Sequence, residues 1–417
     1  MASRVSGSPT TEQLHCSQPT GRISWISRLL ISRQYSIRMR AASPPLLRWA
    51  GAEENWRMPS ESPLRLLHER AGATLGTWFD CLLPDRFADP ALECRLAHDA
   101  VALLDTSFQA FAFFTGPDRL RYLNALLTCN VKDLADGQGT LGLLLNPQGH
   151  ILAELRVLAL ADRLLVAFHA AVRQRTLETL EKFIIMDDVT LEDASDRLGS
   201  LALEGPAAGR LLSSLCGLKL EALPEHSHAE VTLAGAPCRV VRASRFGELG
   251  AELLAERAHL PALWRALLDA ARAHGGGPVG YAALNALRLE AGFPWFGYDF
   301  DDKMIPHEAG LETSHINYTK GCYTGQEIVE RVRSRGHVNR KRVGLQCLGL
   351  EIPPKGAKLL AEGKEVGYVS SAALTPRLGR VLGIGYVRIE HTEPGTLLQW
   401  SASEAPQGTV QGEAEVT

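Results

Sequence analysis

The sequence predicts an α+β protein that ends in a separate all-β unit. Helical and strand-like patterns are mixed without strict β-α-β alternation. Residues 139–160 read as a β-hairpin turning at Asn146-Pro147-Gln148-Gly149. Beyond about Arg340 the pattern changes to short strands separated by Pro and Gly turns.

In chain order, residues 63–71 read as a helix, followed by a Gly/Pro-punctuated linker to about Phe87. Residues 97–115 read as the end of a helix and then a strand at 110–114, broken by Gly116-Pro117. Asp118 opens a helix with Leu120, Leu123, Leu126 and Leu127 on one face. The hairpin strands are 140–145 and 151–160, and 164–168 is a further strand. An amphipathic helix follows at 171–182, a strand region at 191–204 and a helix at 206–215. Strands at 238–243 and 251–254 flank a loop at 244–250. A helix at 260–273 stops at Gly275-Gly276-Gly277, and another occupies 282–291. Strands at 343–348, 357–360, 365–371 and 382–387 build the C-terminal unit, a small barrel or sandwich. No internal repeat is evident.

The 417 residues suggest two or three domains. Hydrophobic content of 45% and charged content of 22% describe an ordinary globular chain with enough apolar material for a core. A formal net charge of -3 gives no global case for nucleic-acid or electrostatic membrane binding. No apolar run reaches the length of a membrane span. The 8 cysteines are scattered, without C-x-x-C or zinc spacing, so no metal site is predicted. Reduced thiols in a cytosol-like compartment follow. Residues 1–57 stand apart: they are rich in Ser and Arg, with Glu12 the sole acid before Glu53. That composition fits a mitochondrial transit peptide, which would place the protein in the matrix, or an upstream start with Met58 as the real beginning. The expected layout is a 1–57 extension without folded structure, a 58–100 lead-in, a 101–340 body and a 341–411 β unit.

The most informative stretch is Lys320-Gly321-Cys322-Tyr323-Thr324-Gly325-Gln326-Glu327. Two glycines bracket a Cys-Tyr pair, and a helix-like run follows. A helix starting near Gln326 would put Cys322 ahead of its N-terminus, where partial positive charge and Lys320 favour thiolate. The plainer alternative is a glycine-bounded turn around a buried small hydrophobe.

This stretch resembles the K-G-C-Y-x-G-Q-E signature of the YgfZ-type folate-binding proteins. Those are relatives of the glycine-cleavage T protein (aminomethyltransferase) and are associated with iron–sulfur cluster maintenance. The similarity extends from about Ala100 to about Trp400, including Val366-Gly367-Tyr368-Val369-Ser370-Ser371 and Gly383-Ile384-Gly385-Tyr386-Val387 of the family's C-terminal barrel. The resemblance implies a GcvT-like ring of three lobes around a central folate channel, two of them in 101–340. It also implies tetrahydrofolate, or a one-carbon derivative, as cofactor.

Functional positions carry over residue by residue. Lys320, Cys322, Tyr323, Gln326 and Glu327 take the motif's catalytic role. Ser244-Arg245-Phe246-Gly247-Glu248-Leu249-Gly250 resembles the family's Y-T-G-E-D-G loop, whose glutamate binds the pterin, so that role falls on Glu248. A carboxylate suits it by accepting two parallel N–H bonds. Leu287-Arg288-Leu289-Glu290-Ala291-Gly292 matches L-R-L-E-A-G, with Arg288 either facing the glutamyl carboxylates or pairing with Glu290; a second family arginine is Leu284 here. The hairpin at 143–158 resembles the stretch that supplies a pair of acids, here Ala153-Glu154. Glu154 either engages folate or is a solvent-facing strand residue. Trp295, Phe296 and Tyr298 either pack or stack on a ligand, and residues 304–311 look like the family's link into the motif. Arg331, Arg333, Arg335, Arg340, Lys341 and Arg342 read as a solvated basic face or an anion site.

Three functions compete. The leading one is a tetrahydrofolate-binding accessory protein for iron–sulfur cluster assembly or repair, with iron–sulfur enzymes or assembly factors as clients and Cys322 as a functional thiol. The others are a folate-dependent aminomethyltransferase of the glycine-cleavage type and a thiol redox or repair factor. Ala153 in place of an acid argues against transfer, because losing a positioned acid–base group costs roughly 10²–10⁴ in rate.

Overall fold

The computed structural model describes residues 59–336, 338–405 and 408–417. The expectations for 1–57 therefore lie outside the described residues. The chain opens with β1 (Ser60–Glu61), α1 (Arg65–Arg70), β2 (Thr74–Trp78) and β3 (Cys81–Arg86), a small sheet ordered β1-β3-β2. The sequence reading placed a linker where β2 and β3 stand. Their two-residue turn is Phe79-Asp80, with φ of 53° and 57°. Turns of this hand are normally announced by Asn or Gly, and neither is present. Phe79 is held instead by Phe108, 4.4 Å between ring centroids, and Tyr298, 4.9 Å.

Next come α2 (Pro90–Asp99), capped by Asp89, β4 (Ala102–Asp105), β5 (Gln109–Thr115), α3 (Arg119–Leu126), β6 (Gly139–Leu145), β7 (Ile151–Ala159), β8 (Leu164–His169), α4 (Arg173–Lys182) and β9 (Thr190–Asp193). The predicted strand region 191–204 divides after β9. Asp193 accepts the backbone N–H and the hydroxyl of Ser195 at 3.0 and 2.7 Å. That local turn competes with extended backbone, and the chain re-enters a different sheet as β10 (Leu198–Glu204). There follow α5 (Ala208–Cys216), β11 (His228–Leu233), β12 (Ala236–Arg242), β13 (Gly250–Glu256), α6 (Leu260–Ala273), β14 (Gly277–Pro278), α7 (Tyr281–Glu290) and α8 (Gln326–Arg335).

Two sheets result: a five-stranded one ordered β6-β7-β8-β5-β9 and a six-stranded one ordered β11-β12-β13-β10-β4-β14. Each is covered by helices on one face. Leu123 and Leu126 of α3 and Leu180 of α4 pack on Ala153, Leu155 and Val157 of β7. Leu211 of α5 and Leu263, Trp264 and Leu267 of α6 pack on Leu201, Leu203 and Leu253. The other faces meet in part, with Phe111, Leu158 and Leu165 from one sheet against Val241 and Leu254 from the other, while Ala102, Leu104 and Ala202 on that face of the six-stranded sheet pack with α2 and α7.

The last lobe is a closed barrel, β15 (Arg340–Cys347), β16 (Lys358–Ala361), β17 (Lys364–Thr375), β18 (Arg380–Arg388), β19 (Leu397–Ala405) and β20 (Gly408–Val416), joined in the order β15-β18-β17-β16-β19-β20. The sequence reading held four of these strands; β19 and β20 close the ring. The α+β class, the three-lobed arrangement and the barrel stand as expected.

Arg288 of α7 fastens the barrel to the body. It is fully buried, paired with the equally buried Asp299, which also accepts from Ser370 Oγ on β17 at 2.7 Å. Burial pushes the Asp299 carboxyl up, but Arg288 and Ser370 outweigh it and hold it below the usual range. The guanidinium also donates to Asn285 and to the carbonyl of Phe293 and lies 4.5 Å from the Trp295 ring. This corrects the cofactor-binding assignment of Arg288: its fork faces Asp299 in the interior, where a ligand's carboxylate tail does not reach. Arg288→Ala leaves Asp299 charged and unpaired in the core. We expect a loss of about 3–5 kcal/mol in urea unfolding, with Ser370→Ala losing about 1 kcal/mol.

Candidate functional site

Strand alternation decides what the two sheets show each other. On β7 the side chains at 153, 155 and 157 enter the helical side, so Glu154, Arg156 and Leu158 face the other sheet. Leu158 completes the apolar seam. Beyond it the seam gives way to a polar recess lined by Gln109 of β5, Leu141 of β6, Glu154 and Arg156 of β7, and Ala167, Phe168 and His169 of β8. Gln109 Oε1 is buried and has no hydrogen-bond partner among the described residues.

Glu154 is the carboxylate of this recess. Its side chain is 24% exposed and receives one hydrogen bond, from His315 Nε2 at 3.0 Å. Burial alone would raise its pKa; the His315 bond and charge outweigh that and hold it below the ordinary glutamate range. His315 is buried, and its Nδ1 lies 2.7 Å from Ser314 Oγ. A carboxylate only accepts, so Nε2 donates; in the neutral ring the Ser314 hydroxyl donates to Nδ1. Thr128 Oγ1 fixes the segment by donating to the His315 carbonyl at 2.6 Å. His169 is pushed down to about 4 by burial, which keeps it neutral near pH 7. Phe108 and Phe296 surround its ring at 4.9 and 5.2 Å.

A ladder of buried charges runs from the recess into the six-stranded sheet. Arg156 pairs with Glu252 of β13, Glu252 with Arg245 at 3.2 Å, and Arg245 with Glu204 of β10 at 3.5 Å. Ser244 Oγ donates to Glu204 at 3.1 Å. Glu204 lies at the far end, and burial, only partly offset by Arg245, pushes its carboxyl up to about 7.

The residues 320–327 lie elsewhere. None of them lines the recess. Gly325, with φ of 82°, caps α8 and sits on the turn of the β6–β7 hairpin; a Cβ there would meet Asn146 O at 2.7 Å. Glu154 is five residues along β7 from that turn, roughly 16 Å at strand rise. Lys320 Nζ donates to the carbonyls of Asn124 and Leu127 at the C-terminal end of α3, and burial pushes its ammonium down to about 8. Tyr323 is buried in the core with its hydroxyl unpartnered. Gln326 is the first residue of α8, and Glu327 is exposed and bonded to Arg331 within the helix at 2.7 Å. Cys322 is exposed, with no hydrogen bond among the described residues.

Comparison with known proteins agrees with this architecture. Residues 64–316 match the GCVT N-terminal domain, and residues 340–406 match the Glycine cleavage T-protein C-terminal barrel domain. The chain belongs to the glycine-cleavage T-protein family. Among its relatives, an aminomethyltransferase from Rubrobacter xylanophilus is 31% identical over 80% of this chain and 88% of its own. One from Saccharopolyspora erythraea is 30% identical over 82% and 93%. The crystal structure of glycine cleavage system aminomethyltransferase T from Bartonella henselae superposes with a TM-score of 0.77 at 26% identity, covering 86% of this chain and 96% of that one.

These relatives overturn the leading functional reading. Proteins that share most of the chain's length carry the name aminomethyltransferase, which backs the second reading over the iron–sulfur accessory role. The argument from Ala153 also fails on geometry. Two consecutive strand residues point to opposite faces, and position 153 faces the helices; Glu154 alone of that pair reaches the recess. Lys320 is engaged by the carbonyls of Asn124 and Leu127. Glu248 is exposed and does not line the recess, and the residues of its loop that turn inward are Arg245 and Phe246. The basic cluster is engaged locally: Arg331 and Arg333 pair along α8, Arg340 with Glu308, and Arg342 with the carbonyls of Ala309 and Gly292. Trp295 and Phe296 pack, the first against Phe79 and Tyr298 and the second in the core. No described helix is long and apolar enough to cross a membrane.

Sequence reasoning missed His315, Gln109, His169 and the Arg156–Glu252 pair. One signal was available. Strands β5 and β8 carry Phe111, Phe113, Leu165 and Ala167 on the face they share with Glu154 and Arg156, with Gln109 and His169 at its end, so most of that face could not be solvated.

Two outcomes follow. Lys320→Met strands two carbonyls and should cost about 1–3 kcal/mol of stability, while Cys322→Ser should stay within about 0.5 kcal/mol; thermal unfolding measures both. Glu204 titrates near 7 in the fold against an ordinary 4.5. Between those values the folded state holds a proton that the unfolded state has released, so its contribution to stability falls as pH rises through the window. Wild type should lose stability relative to Glu204→Gln across that range in urea titrations at stepped pH.

Proposed function

We propose that the protein is an aminomethyltransferase that passes a one-carbon unit to tetrahydrofolate, with Glu154 as the acid–base group. The observation that carries this reading is the ionised, His315-bonded Glu154 facing a polar recess on the five-stranded sheet. The recess suits a ligand that presents N–H groups. Gln109 Oε1 is a buried acceptor without a donor among the described residues, and Glu154 is a second acceptor in the same lining. Tetrahydrofolate, if held there, would supply the nitrogens that take up the one-carbon unit.

The chain's residues provide the rest. Glu154 stabilises positive charge and holds or accepts a proton at its carboxylate. His315 keeps that carboxylate ionised, and neutral His169 keeps a competing positive charge out of the recess. The seam of Phe111, Leu158 and Leu165 excludes water on one side. The names of the relatives support the same activity. Within the family, residues 320–327 support placement in the YgfZ-type folate-binding subgroup.

The test is tetrahydrofolate binding by calorimetry, followed by an aminomethyl-transfer assay on the same material. Glu154→Gln should reduce turnover by about 10²–10⁴ while weakening binding far less. Wild-type binding without turnover would overturn the transferase reading. Glu248→Ala run alongside separates the two acids: a binding loss there alone would move the pterin from the recess to the loop at 244–250.

A further inference from the structure

Ser314 and His315 connect the recess to the protein surface. Ser314 is exposed, His315 is 6% exposed, and Glu154 opens into the recess. The links are 2.7 Å from Ser314 Oγ to His315 Nδ1 and 3.0 Å from Nε2 to Glu154 Oε1. Among the described residues, His315 makes the only hydrogen bond to the Glu154 carboxylate. The other ionisable groups facing the pair are Arg156 on the same strand, His169 on β8 and His226 ahead of β11. Burial holds both of those imidazoles down near 4, so neither carries charge at neutral pH. Arg156 is committed to Glu252.

We propose that His315, oriented by Ser314 at the surface, is a positioning residue that sets both the direction and the protonation state of Glu154 in the recess. It rests on the proposed function for its catalytic meaning, but its physical content stands alone. A partly buried carboxylate with a single charge-assisted donor loses its preference for the ionised form when that donor is removed, because the desolvation cost remains. A merely structural role, stapling 313–319 to β7, would change unfolding and leave the titration of Glu154 where it is.

The experiment is pH-dependent infrared difference spectroscopy of the carboxyl band on the full chain, without folate. Glu154→Gln serves as the blank that identifies the Glu154 signal. In His315→Ala the midpoint should rise by at least about one pH unit. His315→Gln keeps an N–H donor and should recover more than half of that shift; Ser314→Ala should move the midpoint the same way by a smaller amount. An unchanged midpoint in His315→Ala or, if that variant fails to fold, in Ser314→Ala together with His315→Asn, overturns the proposal. In the transfer assay, the acid limb of kcat/KM should move up with the spectroscopic midpoint. Loss of all transfer activity in wild type would remove the function and leave the spectroscopic result intact, so the two failures are distinguishable.

Discussion

The Arg156–Glu252 pair is the contact on which the arrangement of the two central sheets depends. It crosses from β7 to β13 in a region sealed on one side by Phe111, Leu158, Leu165 and Leu254. Both groups are largely desolvated, so each requires the other: breaking such a pair strands a charge at a cost of several kcal/mol. The pair therefore fixes which faces of the sheets meet and in what register. It also obliges the seam to stay polar beyond Leu158, and that polar end is the recess. Arg245 and Glu204 extend the same logic, with positive and negative groups alternating through the six-stranded sheet.

The motif that dominates the sequence has a mechanical role in the fold. Lys320 terminates α3 by meeting two of its last carbonyls, which would otherwise be unsatisfied. Gly325 and Gly149 let α8 and the hairpin turn approach closely, and a Cβ at Gly149 would lie 2.9 Å from Ile328. The motif thereby holds the hairpin that presents Glu154, and the segment just before it carries His315. Its influence on the recess runs through backbone placement, at a distance from the thiol.

The barrel is tied to the body by polar contacts more than by a shared apolar core. Arg288, Asp299 and Ser370 form the buried part; Arg340 with Glu308 and Arg377 with Glu290 form the outer part. The aromatic group of Trp78, Phe79, Tyr281, Trp295 and Tyr298 packs the N-terminal hairpin against the same junction. Phe79 accepts a left-handed backbone there because its ring has neighbours on several sides.

By itself the sequence determined the α+β class, most helices and strands, the hairpin at β6–β7 and the family. Those features rest on local patterns: apolar periodicity, Gly and Pro punctuation and one eight-residue motif. It did not determine the β2–β3 hairpin, whose turn lacks the usual residues, or the division at Asp193, which depends on a side-chain bond. It placed Glu154 among the candidates but not its partner, because His315 lies 161 residues away along the chain. The same distance effect hid Arg288 from its true role, since a conspicuous arginine on a helix looks alike whether it faces a ligand or a buried carboxylate. Only the tertiary structure decided what each face of β7 packs against and which charges lost their water, because desolvation is a property of what packs around a residue and not of its neighbours in the chain.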